Sequence, residues 1–330
     1  MIHLGVIGAG YWGPNLIRNF AAINNVSLER VADINKAVLE KIETDYPGIK
    51  TTIDPHQLLT SDVDAVCIAT SAPTHYDLAR EALLCGKHVL CEKPLTLKAE
   101  EADELVEIAQ KRGLILMVGH LMLYHPAIRK IKELIDQGKI GKLLYVNSIR
   151  VNLGIARANE NALWSLTPHD LSMILYLFDN QMPEGLSAAG ADFLTPGIED
   201  MVFVSLFYSD NRFGHVRASW LDPTKIRRLK VIGTKGMIVF DDMGADSTLE
   251  FYDEWIEPKG NKTFEHHRNF TPKLLEIGKA EPLRIECEHF VQCVLEGKRP
   301  LTDGQNGADV VRILEKAQES LDEKGSYKPL

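Results

Sequence analysis

The chain is short of the features that would place it in an oxidising compartment, in a bilayer or on a nucleic acid. Of 330 residues only 5 are cysteines, an odd number, and no two are spaced C-x-x-C. Cys67 and Cys91 lie inside apolar runs and read as small buried hydrophobes, so neither a disulfide framework nor a metal site is expected. Basic residues are outnumbered, 37 Lys and Arg against 46 Asp and Glu, for a formal charge of −9. A phosphate backbone asks for a basic face, which argues against nucleic acid as a partner. No apolar run approaches the ~20 residues that span a bilayer. The opening MIHLGVIGAG enters a strand-like run at once, without the basic and long apolar regions of a signal peptide. Repeats and low-complexity tracts are missing too. The expectation is a soluble cytoplasmic protein with no membrane partner.

What is present is an ordinary globular composition, 45% apolar and 25% charged. At ~150 residues per domain, its length suggests roughly two domains. Over the first 120 residues short apolar runs alternate with amphipathic segments. IHLGVIG, VSLERVAD, DAVCIAT, HVLCEKP and LILMVGH read as strands. The stretches beginning at Tyr11, Asn35, Thr74 and Lys98 have helical spacing, the last two closed by Gly86 and Gly113. This alternation predicts parallel strands joined by crossover helices, a doubly wound α/β sheet. Farther on the rhythm changes. The helical PAIRKIKELIDQGKIG leads into a long strand, KLLYVNSIRVNLG, and another helix follows His169. Between residues 186 and 252, four strand-like runs joined by turn residues predict an open, mostly antiparallel sheet. Two helices close the chain, and the polar stretch 257–273 reads as a surface loop. The expected division is a Rossmann domain over 1–121 and an α+β domain over 122–330.

GVIGAGYWGP carries Gly8, Gly10 and Gly13 in G-x-G-x-x-G spacing, after a strand and before a helix. Gly8 permits the tight turn, Gly10 lets backbone N–H groups approach a pyrophosphate, and Gly13 lets helix and strand pack closely. The helix N-terminus adds partial positive charge for the anion. Tyr11 and Trp12 fall within the same turn, and Pro14 suits the first helical turn. Asp33 ends the second strand, 20 residues after Gly13. A carboxylate there accepts hydrogen bonds from a ribose 2′-hydroxyl and repels a 2′-phosphate, so NAD is the expected cofactor. The plainer reading of Asp33 is an N-cap for the next helix. Thr70, Ser71, Pro73 and His75 follow AVCIAT, at the carboxyl ends of the strands where such sheets bind ligands. Thr74 is alternatively a helix cap, and His75 alternatively a surface histidine.

CEKP sets Glu92 and Lys93 at another strand end. A lysine there can donate a hydrogen bond to a developing alkoxide and favour its formation by charge. A surface ion pair is the plainer reading. These stretches, with VCIATSAPTHYDLAREALLCGKHVLCEKPL, VGHLMLYHPAIRKIKELIDQGKIGKL and HFVQCVLEGKRPLTDGQNG, resemble the glucose–fructose oxidoreductase/inositol dehydrogenase/MocA family over essentially the whole chain. The resemblance implies an NAD(P)-dependent oxidoreductase of sugars, cyclitols or sugar nucleotides. It implies Lys93 as the catalytic lysine and Glu92 near the nicotinamide. It also implies a second-domain sheet used for self-association, so a homo-dimer or homo-tetramer. The family's histidine, four residues after an aspartate, is matched by His169, but Ser165 stands where the aspartate belongs. An imidazole, with an ordinary pKa of about 6.5, suits accepting a hydroxyl proton. A helix-cap histidine is the plainer reading of His169.

SIRVNLGIARANENALWSLTPHD resembles a nucleotide-sugar subset of that family, including enzymes that oxidise the 3-hydroxyl of a UDP-N-acetylhexosamine. Arg150, Asn152 and Arg157 lie on the approach to His169, and an arginine there can pair with a diphosphate. His120 and Tyr124 are candidate donors to sugar hydroxyls, and Trp164 is a candidate stacking surface; packing is the alternative for Tyr124 and Trp164. The expected reaction is NAD-dependent oxidation, at C3, of a sugar nucleotide such as UDP-N-acetylglucosamine, serving amino-sugar or cell-surface glycan synthesis. A free-sugar or cyclitol dehydrogenase is the alternative, and a non-catalytic NAD-binding regulator on the same fold is a third reading.

Overall fold

The computed structural model describes residues 1–269 and 271–330. Its contacts divide the chain into two units, one of residues 1–124 with 280–312, the other of 125–279 with 313–330.

The first unit follows the predicted rhythm through β1 (Ile2–Ile7), α1 (Gly13–Ala21), β2 (Val26–Ala32) and α2 (Lys36–Asp45). Two short elements come next that the sequence reading passed over, β3 (Lys50–Thr52) and α3 (Pro55–Leu59). Then follow β4 (Ala65–Ile68), α4 (His75–Leu84), β5 (His88–Cys91), α5 (Ala99–Arg112) and β6 (Leu116–Val118). The strands pair in parallel in the order β3-β2-β1-β4-β5-β6. That order reverses direction between β1 and β4, which makes a ligand crevice at their carboxyl ends. β4 is buried throughout, as a central parallel strand covered on both faces must be. The ends of α5 agree with its dipole, with Glu100 and Glu101 in the first turn and Lys111 and Arg112 in the last. Gly113 closes it in the left-handed conformation, φ 65°.

The second unit begins with α6 (Pro126–Asp136), β7 (Leu143–Leu153), α7 (Ala162–Leu166) and α8 (Pro168–Leu177). Strands β8 (Gly185–Ala191), β9 (Met201–Phe207), β10 (Phe213–Ser219), β11 (Leu221–Gly233), β12 (Met237–Asp241) and β13 (Thr248–Tyr252) follow. The stretch expected to be a loop instead forms a separate hairpin, β14 (Trp255–Gly260) with β15 (Thr263–His267), and then β16 (Lys273–Leu275). Asn261 and Lys262, both at positive φ, make the hairpin turn.

Two helices follow, α9 (Pro282–Glu296) and α10 (Gly304–Asp322), and β17 (Lys328–Pro329) pairs with β8. The large sheet runs β16-β13-β12-β11-β7-β10-β9-β8-β17; β7 and β10 pair in parallel, the other neighbours antiparallel. The expected boundary needs correcting at its far end, because residues 280–312 pack with the first unit. The buried face of α9 explains this: Phe290 meets Phe20 of α1 edge-on, ring centres 6.3 Å apart, and Glu281 accepts hydrogen bonds from Arg18 and Asn19. Just before α10, Val118 N–H donates to the Thr302 carbonyl at 2.8 Å, and Thr302 Oγ1 donates back to the Val118 carbonyl at 2.7 Å. This covers the outer edge of β6. No helix among the described residues is long and apolar enough to cross a membrane. All five cysteines are free thiols.

Candidate active site

At the end of β1 the three glycines divide their labour. Gly8 turns with φ 93°, and a Cβ on it would lie 2.7 Å from the Ala69 carbonyl just past β4. A Cβ on Gly13 would lie 2.1 Å from the Gly8 carbonyl oxygen. A Cβ on Gly10 would meet nothing within 4 Å. Two positions are thus closed by packing and the middle one is open, at the N-terminus of a nine-residue helix. This is the cradle a pyrophosphate needs. Tyr11 is exposed beside it, and Trp12 is half-buried at the N-cap position.

Asp33 Oδ2 accepts the Ala9 N–H at 2.7 Å, and Oδ1 accepts the Asn35 N–H at 2.8 Å. The carboxylate therefore ties the tip of β2 to the glycine turn. It is not the cap of α2; Asn35 fills that role by accepting from Ala37 N–H. Gly8, Gly10, Gly13 and Asp33 are together placed where they could hold NAD.

One strand over, Thr74 Oγ1 donates to Thr70 Oγ1 and to the Ser71 carbonyl, both at 2.8 Å, but makes no capping bond to α4. Pro73 lies in the short 3₁₀ turn before it. His75 is not a surface residue. It is 1% exposed, with Nδ1 2.7 Å from the Pro94 carbonyl and Nε2 3.2 Å from that of Thr70. Burial lowers its pKa against the pull of the two carbonyls, and the ring lies between the end of β4 and the turn after Lys93, where a neutral imidazole can donate to one carbonyl at a time.

Glu92 and Lys93 follow β5. The Lys93 N–H donates to Glu92 Oε2 at 3.2 Å, and the carboxyl packs over Gly119, where a Cβ would come within 3.0 Å of it. Burial raises the Glu92 pKa to about 7, opposed by the charge of Lys93. Two further residues of this region escaped the sequence reading. Glu286 of α9 is 1% exposed, and its Oε1 has no hydrogen-bond partner among the described residues. Burial, and then the proximity of Glu92, push its carboxyl well above the usual range. The signal was there: Glu286 shares the buried stripe of Leu283, Cys287 and Phe290. Asn306 of α10 is the other. Its Oδ1 lies 2.7 Å from Nδ1 of His120, which is fully buried directly beyond β6. Tyr124 is buried as well, its hydroxyl 3.1 Å from Thr302 Oγ1, which sets it in the packing of this unit.

In the second unit, Thr167 holds the N-cap position of α8 and Pro168 its first turn, so His169 is not the cap. His169 is half-buried. Its neighbour Asp170 is 1% exposed and anchors the helix to β7. Asp170 Oδ2 accepts Arg150 Nε at 2.7 Å, and Oδ1 accepts Ser148 Oγ at 2.6 Å and Arg150 Nη2 at 3.3 Å. The expectation that Arg150 meets a diphosphate is corrected by this buried pair. Arg157 sits on an exposed loop, 3.2 Å from Glu160, an ion pair that a ligand can readily displace. Asn152 is half-buried on β7. Trp164 and Ser165 are half-buried in α7, whose cap Asn161 accepts from Trp164 N–H.

A glycine cradle at the reversal point of a parallel sheet, with a lysine at a neighbouring strand end, defines an NAD-binding oxidoreductase. Residues 2–120 match the description "Oxidoreductase family, NAD-binding Rossmann fold" and residues 128–239 match "GFO/IDH/MocA C-terminal domain". The chain belongs to the GFO/IDH/MocA family.

Among curated relatives, myo-inositol 2-dehydrogenase of Thermotoga maritima is 26% identical, over 99% of this chain and 98% of that protein. UDP-N-acetylglucosamine 3-dehydrogenase of Acidithiobacillus ferrooxidans is 27% identical, over 94% and 95%. A solved structure of the latter enzyme superposes with a TM-score of 0.84 at 26% identity, covering 98% of each chain. A solved protein of Magnetospirillum magnetotacticum MS-1 is 31% identical with a TM-score of 0.82, over 96% of this chain and 99% of that one. The expectations of an α/β Rossmann fold, an oxidoreductase and NAD are borne out.

Proposed function

We propose that the enzyme oxidises a secondary hydroxyl of a sugar nucleotide, at C3 of a UDP-N-acetylhexosamine, to the ketone. The observation that carries the chemistry is Lys93 at the carboxyl end of β5, in the same sheet as the glycine cradle. When bound there, NAD⁺ supplies the hydride acceptor. The ammonium of Lys93 stabilises the alkoxide that forms as the hydroxyl proton leaves. His169 takes that proton as general base. Asp170, clamped to Ser148 and Arg150, fixes the first turn of the helix that carries His169. Ser165 offers no carboxylate at the family's aspartate position, so the proton is handled by lysine and histidine alone. Asp33 accepts from the ribose and favours NAD over NADP. The chain self-associates through the sheet of its second unit.

The sugar-nucleotide reading is supported by the likeness to the UDP-N-acetylglucosamine enzyme and by Arg157, whose partner Glu160 a diphosphate can replace. One observation favours a second reading, a free sugar or cyclitol: Arg150 is already committed to Asp170, which leaves fewer arginines for a diphosphate. Purified protein with NAD⁺ is to be offered UDP-N-acetylglucosamine and myo-inositol, reading NADH absorbance, with UDP binding measured by calorimetry. NADH from the UDP-sugar together with UDP binding supports the first reading. NADH from myo-inositol without UDP binding supports the second, and no turnover of either probe refutes both.

A further inference from the structure

His120 and Asn306 are joined across 186 residues of sequence at 2.7 Å, in the interior of the first unit. With the Asn306 carbonyl oxygen turned to Nδ1, that ring nitrogen must carry the proton. A neutral imidazole has only one such proton, so Nε2 is left as a bare lone pair. Nε2 is buried and has no hydrogen-bond partner among the described residues. Buried acceptors in native proteins are nearly always satisfied, and one left open calls for a role. Its place suggests which. His120 follows β6 as Lys93 follows β5, the two strands pair at Cys91 and Val118, and the Gly119 N–H donates to the Cys91 carbonyl at 2.8 Å. Ligands of such sheets bind at these strand ends.

We propose that His120 is the hydrogen-bond acceptor of the substrate site, its Nε2 taking a proton-donating contact from a substrate hydroxyl, and that Asn306 is the positioning residue that sets this tautomer. The inference rests on the reading of the substrate as a polyhydroxylated sugar or cyclitol. It reverses the expectation that His120 donates. Burial and the nearby charge of Lys93 hold the ring neutral, with a pKa of about 4, so the acceptor survives through the whole physiological range. Lys93 then gives a hydrogen bond and His120 receives one. A hydroxyl can do both; an ether or a fully methylated sugar cannot satisfy His120.

The test uses the full chain labelled with ¹⁵N-histidine, the His120 signal being assigned by its loss in His120→Gln. In the wild type, the expected spectrum shows the neutral Nδ1–H form from pH 5.5 to 8. Adding the probe that is turned over should move the Nε2 resonance, whereas NAD⁺ alone should not. Asn306→Asp sets a carboxylate against Nδ1 and favours the imidazolium, which converts Nε2 into a donor. Its kcat/KM is expected to fall more steeply toward acid than that of the wild type, in which protonation of the base His169 already gives an acid limb, the ratio of variant to wild type dropping at least about tenfold from pH 8 to 6. A purely structural contact would instead lower activity equally at all pH values. If wild-type protein turns over neither UDP-N-acetylglucosamine nor myo-inositol, the functional reading fails and takes this proposal with it. Turnover with His120 in the Nε2–H form, as an Asn306 amide turned the other way would produce, overturns the proposal alone. So does turnover with no Nε2 response to the probe, and this wild-type spectrum decides the matter even if Asn306→Asp does not fold.

Discussion

The glycine turn allows packing and ligand approach to be separated by two substitutions three residues apart. In Gly13→Ala the new methyl would sit 2.1 Å from the Gly8 carbonyl oxygen, where real contacts essentially never fall below 3.0 Å. The obstacle is backbone, so no side chain can turn aside, and α1 must move off the end of β1 by roughly 1 Å. Overpacking of this kind costs about 1–3 kcal/mol, partly offset by the better helix propensity of alanine, up to about 1 kcal/mol. A net loss near 1–2 kcal/mol lowers Tm by roughly 2–8 °C in a protein of this size class. The same displacement carries the N–H groups of the first turn away from the pyrophosphate; at 1.4 kcal/mol per factor of ten, NADH binding should weaken at least about tenfold.

Gly10→Ala is the control. Its methyl meets nothing within 4 Å, so Tm should stay within about 1 °C while NADH binding still falls, because the methyl occupies the open face of the cradle. Thermal unfolding of the apoprotein and NADH fluorescence titration read the two effects separately. A Gly13→Ala protein with unchanged Tm, or a Gly10→Ala protein with unchanged NADH affinity, would refute the division of roles.

Other outcomes follow from the same geometry. Lys93→Ala and His169→Ala should each lower kcat at least about a hundredfold while NADH still binds in titration; full activity removes that residue from the mechanism. Wild-type kcat/KM should be higher with NAD than with NADP, and Asp33→Ala should narrow the ratio while weakening NAD binding, since Asp33 also holds Ala9. Equal ratios in the wild type would sink the role of Asp33. Asp170→Ala strands the charge of Arg150, whose side chain is only 12% exposed, and should cost about 3–5 kcal/mol in denaturant unfolding; Arg150→Met added to it should recover much of that. Glu286 gives a pH signature. Its folded pKa lies above its ordinary 4.5, so its contribution is fully present below that value and is lost as pH rises. Glu286→Gln should therefore match the wild type in Tm at pH 4.5 and exceed it increasingly toward pH 8. A constant difference would contradict the buried, protonated carboxyl.

Much of the first unit was legible because its signals are local. Apolar runs, Gly113 after the last helical turn of α5 and the glycine spacing act within a few residues, and the parallel pairing follows from the alternation. The missed elements lack such signals or carry them weakly. β8, GLSAAGA, has small residues in place of alternating large ones, and β14 and β15 have almost no buried side to generate a period. α3 was recoverable, since Asp54 caps it by accepting from His56 N–H and Pro55 opens it. At the candidate site, Gly8 is fixed by short-range turn chemistry, and Asp33 is legible from its place at a strand end 20 residues after Gly13. His120 acquires its meaning from a residue 186 positions away, and Arg150 from a carboxylate on the helix 20 positions later. No window along the chain contains those pairs.

The return of residues 280–312 to the first unit has a consequence for biosynthesis. At about 5–20 residues per second, the 186 residues between His120 and Asn306 take roughly 10–40 s to translate. Through that interval the nascent cofactor half holds β6 with its outer edge uncovered, since Thr302 has not yet been made. The part of the protein synthesised first is thus completed almost last, and the growing chain spends most of its time on the ribosome as an unfinished sheet in need of shelter.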